Sequence, residues 1–151
     1  MKKLLTISAV VFLMIFTAGL ATAKAPVSIY PFVGTGDLFS LSDTGVPGAV
    51  TSAQITIYEV DGLFWGTIVY GSTTIEFSAV QDVNGAFSLN GVVVGTTPLV
   101  PVRGGYVISK QKEPGVRHKA PAVSIEFGTL ATSTAGTATT AGETFTGVLF
   151  Q

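Results

Sequence analysis

Two short turn signals constrain this chain more than anything else in it. Asp61-Gly62 and Gly71-Ser72 each sit between runs of alternating apolar and polar residues, and a two-residue loop of this kind fixes the register of the hairpin it closes. Asp61-Gly62 predicts the pairs Val60 with Leu63, Tyr58 with Trp65, Ile57 with Gly66 and Ile55 with Ile68. Gly71-Ser72 predicts Tyr70 with Thr73, Ile68 with Ile75, Gly66 with Phe77 and Phe64 with Ala79. The two registers are mutually consistent. They put Ile55, Ile57, Phe64, Ile68, Tyr70, Ile75, Phe77 and Ala79 on one face, the core face, and Thr56, Tyr58, Trp65, Thr67, Thr74, Glu76 and Ser78 on the other. A third turn at Asn84-Gly85 fits only as the three-residue loop Val83-Asn84-Gly85 with Gly85 left-handed, because a two-residue loop would turn Phe87 and Leu89 outward. That loop pairs Ala79 with Leu89 and Phe77 with Gly91, so Gly66 and Gly91 flank Phe77 and leave room for its ring.

A meander of four antiparallel strands needs company to bury its face, and the rest of the chain supplies it. Beyond Leu20 no window carries apolar residues at helical spacing for three turns without Gly or Pro, while period-two alternation recurs. Strands are expected over 27–33, 38–41, 53–60, 63–70, 73–80, 86–94, 105–109, 122–130 and 144–150. The expected fold is therefore all-β, an antiparallel meander closing as a small up-and-down barrel, with a two-sheet β-sandwich as the alternative. Residues 131–144 are Thr, Ala, Ser and Gly apart from Glu143, which reads as a weakly ordered connector, the alternatives being a Thr-rich surface strand or a glycosylated stalk.

Met1-Lys2-Lys3, the apolar stretch Leu4 to Leu20 and Ala21-Thr22-Ala23 have the form of a secretory signal peptide with its cleavage site. Residues 1–23 are read as that signal, and 24–151 as a single exported domain, secreted or periplasmic. An uncleaved membrane anchor is the competing reading of the same stretch. The chain has no cysteine, so neither a lipidated thiol nor a disulfide is available to it. Without Lys2 and Lys3, nine acids outnumber six bases, and such a net charge does not recruit nucleic acid.

Catalytic signals are thin. Asp43-Thr44-Gly45 matches the tripeptide of aspartic proteases, but Ser42 before it and Val46-Pro47 after it depart from that pattern and read as a turn. Gly-x-Ser-x-Gly is absent, and the single histidine, His118, lies in a charged run. One histidine and no cysteine cannot build a nitrogen or sulfur metal site, and Asp37, Asp43, Asp61 and Asp82 are scattered among turns at no calcium-loop spacing. No cofactor or metal is expected. Glu59 falls on the core face opposite Phe64, where desolvation would raise its pKa, but one residue before a turn its carboxylate can reach water at the rim.

Two surfaces are left for a function. Tyr58 and Trp65 on the non-core face, with Glu76 beside them, form an apolar platform with hydrogen-bonding groups at its edge, suited to a sugar ring or another flat ligand unless a second layer covers it. Lys110, Lys112, Arg117, His118 and Lys119 cluster around Pro114-Gly115 in an expected projecting loop, a contact for anionic envelope polymers. The stretch Gly62-Leu63-Phe64-Trp65-Gly66-Thr67 and the meander after it look like the strand rhythm of small ligand-binding barrels such as avidins and lipocalins. No diagnostic site motif accompanies that likeness. The expected function is that of a non-catalytic binding or surface-structural domain, for an unidentified small ligand, glycan or envelope polymer. A small outer-membrane barrel in contact with lipid is the alternative and an enzyme the third reading. Against the second, several expected strands fall short of a span and the chain ends in Gln151.

Overall fold

A computed structural model describes residues 27–41, 47–132 and 139–151. The expected signal peptide and Asp43-Thr44-Gly45 lie outside these residues. Among the described residues eight strands, β1 (Phe32–Leu41), β2 (Pro47–Val60), β3 (Leu63–Tyr70), β4 (Thr73–Gln81), β5 (Ala86–Val93), β6 (Val100–Lys112), β7 (Lys119–Thr132) and β8 (Thr139–Phe150), follow one another without a helix. Each pairs antiparallel with the next, and β8 pairs with β1 to close the barrel. The sandwich alternative is excluded. Closure leaves no free sheet edge.

The central registers are those the turns dictate: Tyr58 faces Trp65 and Ile57 faces Gly66, then Gly66 faces Phe77, and Phe77 faces Gly91. Asp61 (φ 53) and Gly62 (φ 76) both take the left-handed conformation of a type I′ turn, whereas in the next turn Gly71 (φ 54) takes it and Ser72 does not. The loop Val83-Asn84-Gly85 has Gly85 at φ 85. Asp82 ties it: its carboxylate accepts from the Asn84 and Ala86 amides at 2.8 and 2.9 Å, and its own amide donates to the Ala86 carbonyl at 2.8 Å.

Following ladder partners from Phe32 through Ile57, Gly66, Phe77, Gly91, Val102 and Thr129 leads back to β1 beside Leu41, its opposite end. The strands are thus steeply tilted, which an eight-strand barrel needs to close around side chains. The interior is apolar throughout, with Phe32, Ile55, Ile57, Ile68, Ile75, Leu89, Val123, Phe127 and Leu149 among its most buried members. Outside, Thr, Ser, Gln, Asn and charged residues alternate with single apolar side chains.

The outer strands correct several expectations. The strands expected over 27–33 and 38–41 are one, β1, which begins only at Phe32, while residues 27–31 join no ladder. Gly34 and Gly36 hold inward positions between them, so the apolar alternation disappears although the strand continues: a Cβ on Gly34 would meet the Phe32 ring, and one on Gly36 the Val148 carbonyl. β6 likewise runs well beyond 105–109, through Gly104 and Pro101. The connector expected over 131–144 is largely strand, since Leu130 faces Ala141, Ala131 faces Thr140 and Thr132 faces Thr139. Thr favours a pleated surface even where no core pattern betrays it; residues 133–138 lie outside the described ones.

Because Gly85 is left-handed and ends the loop that sets the β4–β5 register, Gly85→Val should destabilise the fold by about 1 kcal/mol or more. Chemical denaturation of the two proteins measures it.

Candidate functional site

The first candidate surface follows from parity on the meander. Tyr58, Trp65, Ser78, Asn90 and Arg103 are successive ladder partners on β2 to β6, all pointing outward. Trp65 and Tyr58 are 43% and 44% exposed, so the face is open rather than covered by a second layer. Their rings lie near parallel, 24° apart with centroids 6.0 Å apart. With Thr67, Glu76, Ser78 and Asn90 they line a shallow groove of about 630 Å³. All three residues expected on this face are brought together.

Two members of this surface were not anticipated. Asn90 Oδ1 accepts from the Arg103 guanidinium at 2.8 Å, which steadies an exposed cation at the end of the aromatic row. Arg103 also borders a second shallow groove, of about 780 Å³, with Glu126, Gly128, Thr144 and Thr146 across β6 to β8. The alternation signal that places Asn90 outward on β5 was available. Arg103 was hidden because the β6 pattern is interrupted by Gly104 and Gly105 next to it. Toward the turn, the ladder partners Val60 and Leu63 continue the exposed apolar surface, with Val80 exposed on the neighbouring strand β4.

The second candidate, the basic cluster, lies at the β6–β7 hairpin. The loop proper is 113–118, carrying Arg117 and His118, with Gly115 left-handed at φ 82. Lys110 and Lys112 end β6, Lys119 begins β7, and all five basic groups are exposed. Lys112 and Lys119 are ladder partners, so two like charges face each other directly, an arrangement that carries a repulsive cost.

The remaining titratable groups are dispersed. Glu59 accepts from the Gly62 amide at 2.8 Å and so caps its own turn at the rim. Asp37 accepts from the Ser52 hydroxyl at 3.0 Å on the exterior of β1 and β2, far along the ladder from Asp61 and Asp82. Among the described residues no three potential metal ligands converge.

Unlooked-for chemistry lies at the barrel ends. Tyr30, on the segment expected to be a strand, packs on Phe64 with centroids 5.3 Å apart. Phe64 meets Phe87 edge-on at 4.8 Å, and Phe87 lies flat on Tyr106 at 4.5 Å. Burial, with the Glu59 charge nearby, pushes the Tyr30 phenol up to about 12, and burial beside Tyr30 raises that of Tyr106 further. At the other end Tyr70 packs on Phe145 at 4.9 Å and Phe127 at 5.9 Å. Burial, then the Glu143 charge, raises its phenol too, against a small opposing effect of its hydrogen bond with Thr73.

Comparison with families of known proteins, with curated proteins and with solved structures yields no match to this chain. The site's own geometry therefore carries the functional argument.

A phenol whose pKa is raised by folding stabilises the folded state fully below its unfolded pKa of about 10, and that contribution is lost as pH rises through the folded value. The melting temperature should therefore fall between pH 10 and 12, and Tyr30→Phe should make the fall shallower. Thermal melts at pH 9 and pH 11.5 check both.

Proposed function

We propose that the protein is an exported, non-catalytic binding domain that holds a sugar ring against Tyr58 and Trp65 on the outer face of the barrel. The observation that carries this reading is the exposed, near-parallel aromatic pair at the head of a groove edged by Glu76, Ser78 and Asn90. A pyranose has an apolar C–H face that stacks on such rings and a rim of hydroxyls that needs donors and acceptors at the edge of the stack, which is what this groove offers. A scatter of single apolar side chains would need no explanation, but contiguous ones on one face do.

Two further observations support a non-catalytic domain outside lipid. Glu76 on β4 and Glu126 on β7 are three strand spacings apart, about 14 Å even before their offset along the strands. Glycoside hydrolysis wants two carboxyl groups within about 9.5 Å. The barrel is also filled by apolar side chains, where the interior of an outer-membrane barrel is polar, which favours the exported reading over the membrane one.

The mature protein should bind at least one member of a panel of soluble hexaoses, cellohexaose, chitohexaose, xylohexaose and maltohexaose, with a saturable change in the emission of its single tryptophan. Tyr58→Ala should weaken the binding about tenfold, and Trp65→Ala should abolish it when followed by calorimetry, at unchanged melting temperature. Calorimetry silent across the panel would refute the reading.

A second reading is favoured by one specific feature, the facing Lys112 and Lys119. Like charges kept in register at one tip suit contact with an anionic envelope polymer that lies between them. Replacing Lys110, Lys112, Arg117 and Lys119 by Ser should lower retention on a heparin matrix at low salt, and the difference should shrink as salt is raised. Equal retention of both proteins at low salt would leave the tip as plain solvated surface.

A further inference from the structure

The mouth of the barrel beside β2, β3 and β4 is covered by the segment 27–31, which belongs to no ladder. Beside it lies a cavity of about 620 Å³ bounded by Val27 and Tyr30 on the segment and by Glu59, Leu63, Phe64 and Val80 on the barrel, with Tyr106 behind its wall rather than in it. The Tyr30 ring rests on Phe64, and Phe64 reaches Tyr106 through Phe87, which touches both. Tyr106 itself is 2% exposed, and its hydroxyl has no hydrogen-bond partner. It is the one buried side-chain polar atom left so among the described residues. A buried polar group left without a partner is costly, and each one in a folded protein calls for an explanation. Every other neighbour of Tyr106 in the aromatic relay, Phe87 at 4.5 Å and Phe77 at 6.0 Å, offers only a ring.

Tyr30 thus shows what the mouth accepts: an aromatic ring against Phe64, with a hydroxyl on the side of Glu59 and Tyr106. We propose that this mouth is a binding site for a small aromatic alcohol, whose ring takes the place of Tyr30 on Phe64 and whose hydroxyl pairs with that of Tyr106. Tyr30 is its built-in competitor, a lid that the ligand displaces. The affinity of any ligand is lowered by the fraction of molecules in which the lid is shut, so removing the lid raises it. Neither Tyr58 nor Trp65 lines this cavity, so a protein altered at Trp65 keeps it.

The test uses p-cresol, and toluene as the same ring without the hydroxyl, titrated into the mature protein and followed by amide chemical shifts. In the wild type and in Trp65→Ala, p-cresol should give saturable shifts at residues 59–64, 87 and 106, with toluene about tenfold weaker, the worth of one buried hydrogen bond. Tyr106→Phe should bring p-cresol down to the level of toluene. Tyr30→Ala should bind p-cresol several-fold more tightly than the wild type. Absence of saturable shifts at the mouth of the wild type, an unchanged affinity in Tyr106→Phe, or no gain in Tyr30→Ala would each overturn the proposal. Should Tyr106→Phe fail to fold, the wild-type ratio of p-cresol to toluene decides, and a ratio near one overturns it.

Discussion

The closed barrel depends on a match of volumes across its inner wall. Phe77 fits because the inward positions on both sides of it, Gly66 and Gly91, carry no side chain. A Cβ on Gly66 would run into the Thr56 carbonyl and the tip of the Phe77 ring, and one on Gly91 into the Glu76 carbonyl. The same relation recurs where the Phe32 ring lies over Gly34 and where a Cβ on Gly104 would collide with Phe127. Interiors of this kind are packed like crystals, so a ring lost from one wall leaves a cavity worth about 3–5 kcal/mol. With no disulfide to hold the cylinder, ring against glycine is what makes eight tilted strands close on themselves rather than open into two sheets.

The same device decides how much of the fold could be read from the residues. The meander from β2 to β5 was legible because its turns are local chemistry: Asp61-Gly62, Gly71-Ser72 and Val83-Asn84-Gly85 each demand one loop geometry, and a loop geometry dictates a register. Where glycine fills an inward position, the period-two signal loses its apolar half, and β1 reads as two fragments although its backbone never leaves the ladder. β6 loses its first half to Gly104 in the same way. The threonine-rich start of β8 fails for the opposite reason, since its residues are uniform and uniformity has no period. In each case the ladder continues through residues whose own pattern does not record it.

The candidate sites divide along the same line. Tyr58, Trp65 and Glu76 could be placed together in advance because they lie on strands joined by two-residue turns. The Asn90 and Arg103 pair extends that surface across β5 and β6, where Gly104 and Gly105 interrupt the pattern beside Arg103. Tyr30 gave no sign of its role, because a stretch of Val, Ile, Tyr and Phe has the composition of a strand whether it joins a sheet or lies across the end of one. Tyr106 is visible only once the barrel is closed: its isolation is a property of the whole interior, not of its neighbours in the chain.

An apolar cylinder has two ends through which water could reach the core, and this one treats them alike. A half-buried tyrosine stands at each, Tyr30 on Phe64 and Tyr70 on Phe145, with a carboxylate nearby, Glu59 at one and Glu143 at the other. A phenol suits the position because its ring continues the core while its hydroxyl meets the solvent. The two ends differ in how the tyrosine is attached. Tyr70 is the last residue of β3, locked by ladders on both sides, whereas Tyr30 sits on a segment outside every ladder. Tyr70 cannot leave its place without breaking those ladders. At the Tyr30 end the described cover is the five-residue segment 27–31, and behind it, through Phe64 and Phe87, lies the unpaired hydroxyl of Tyr106.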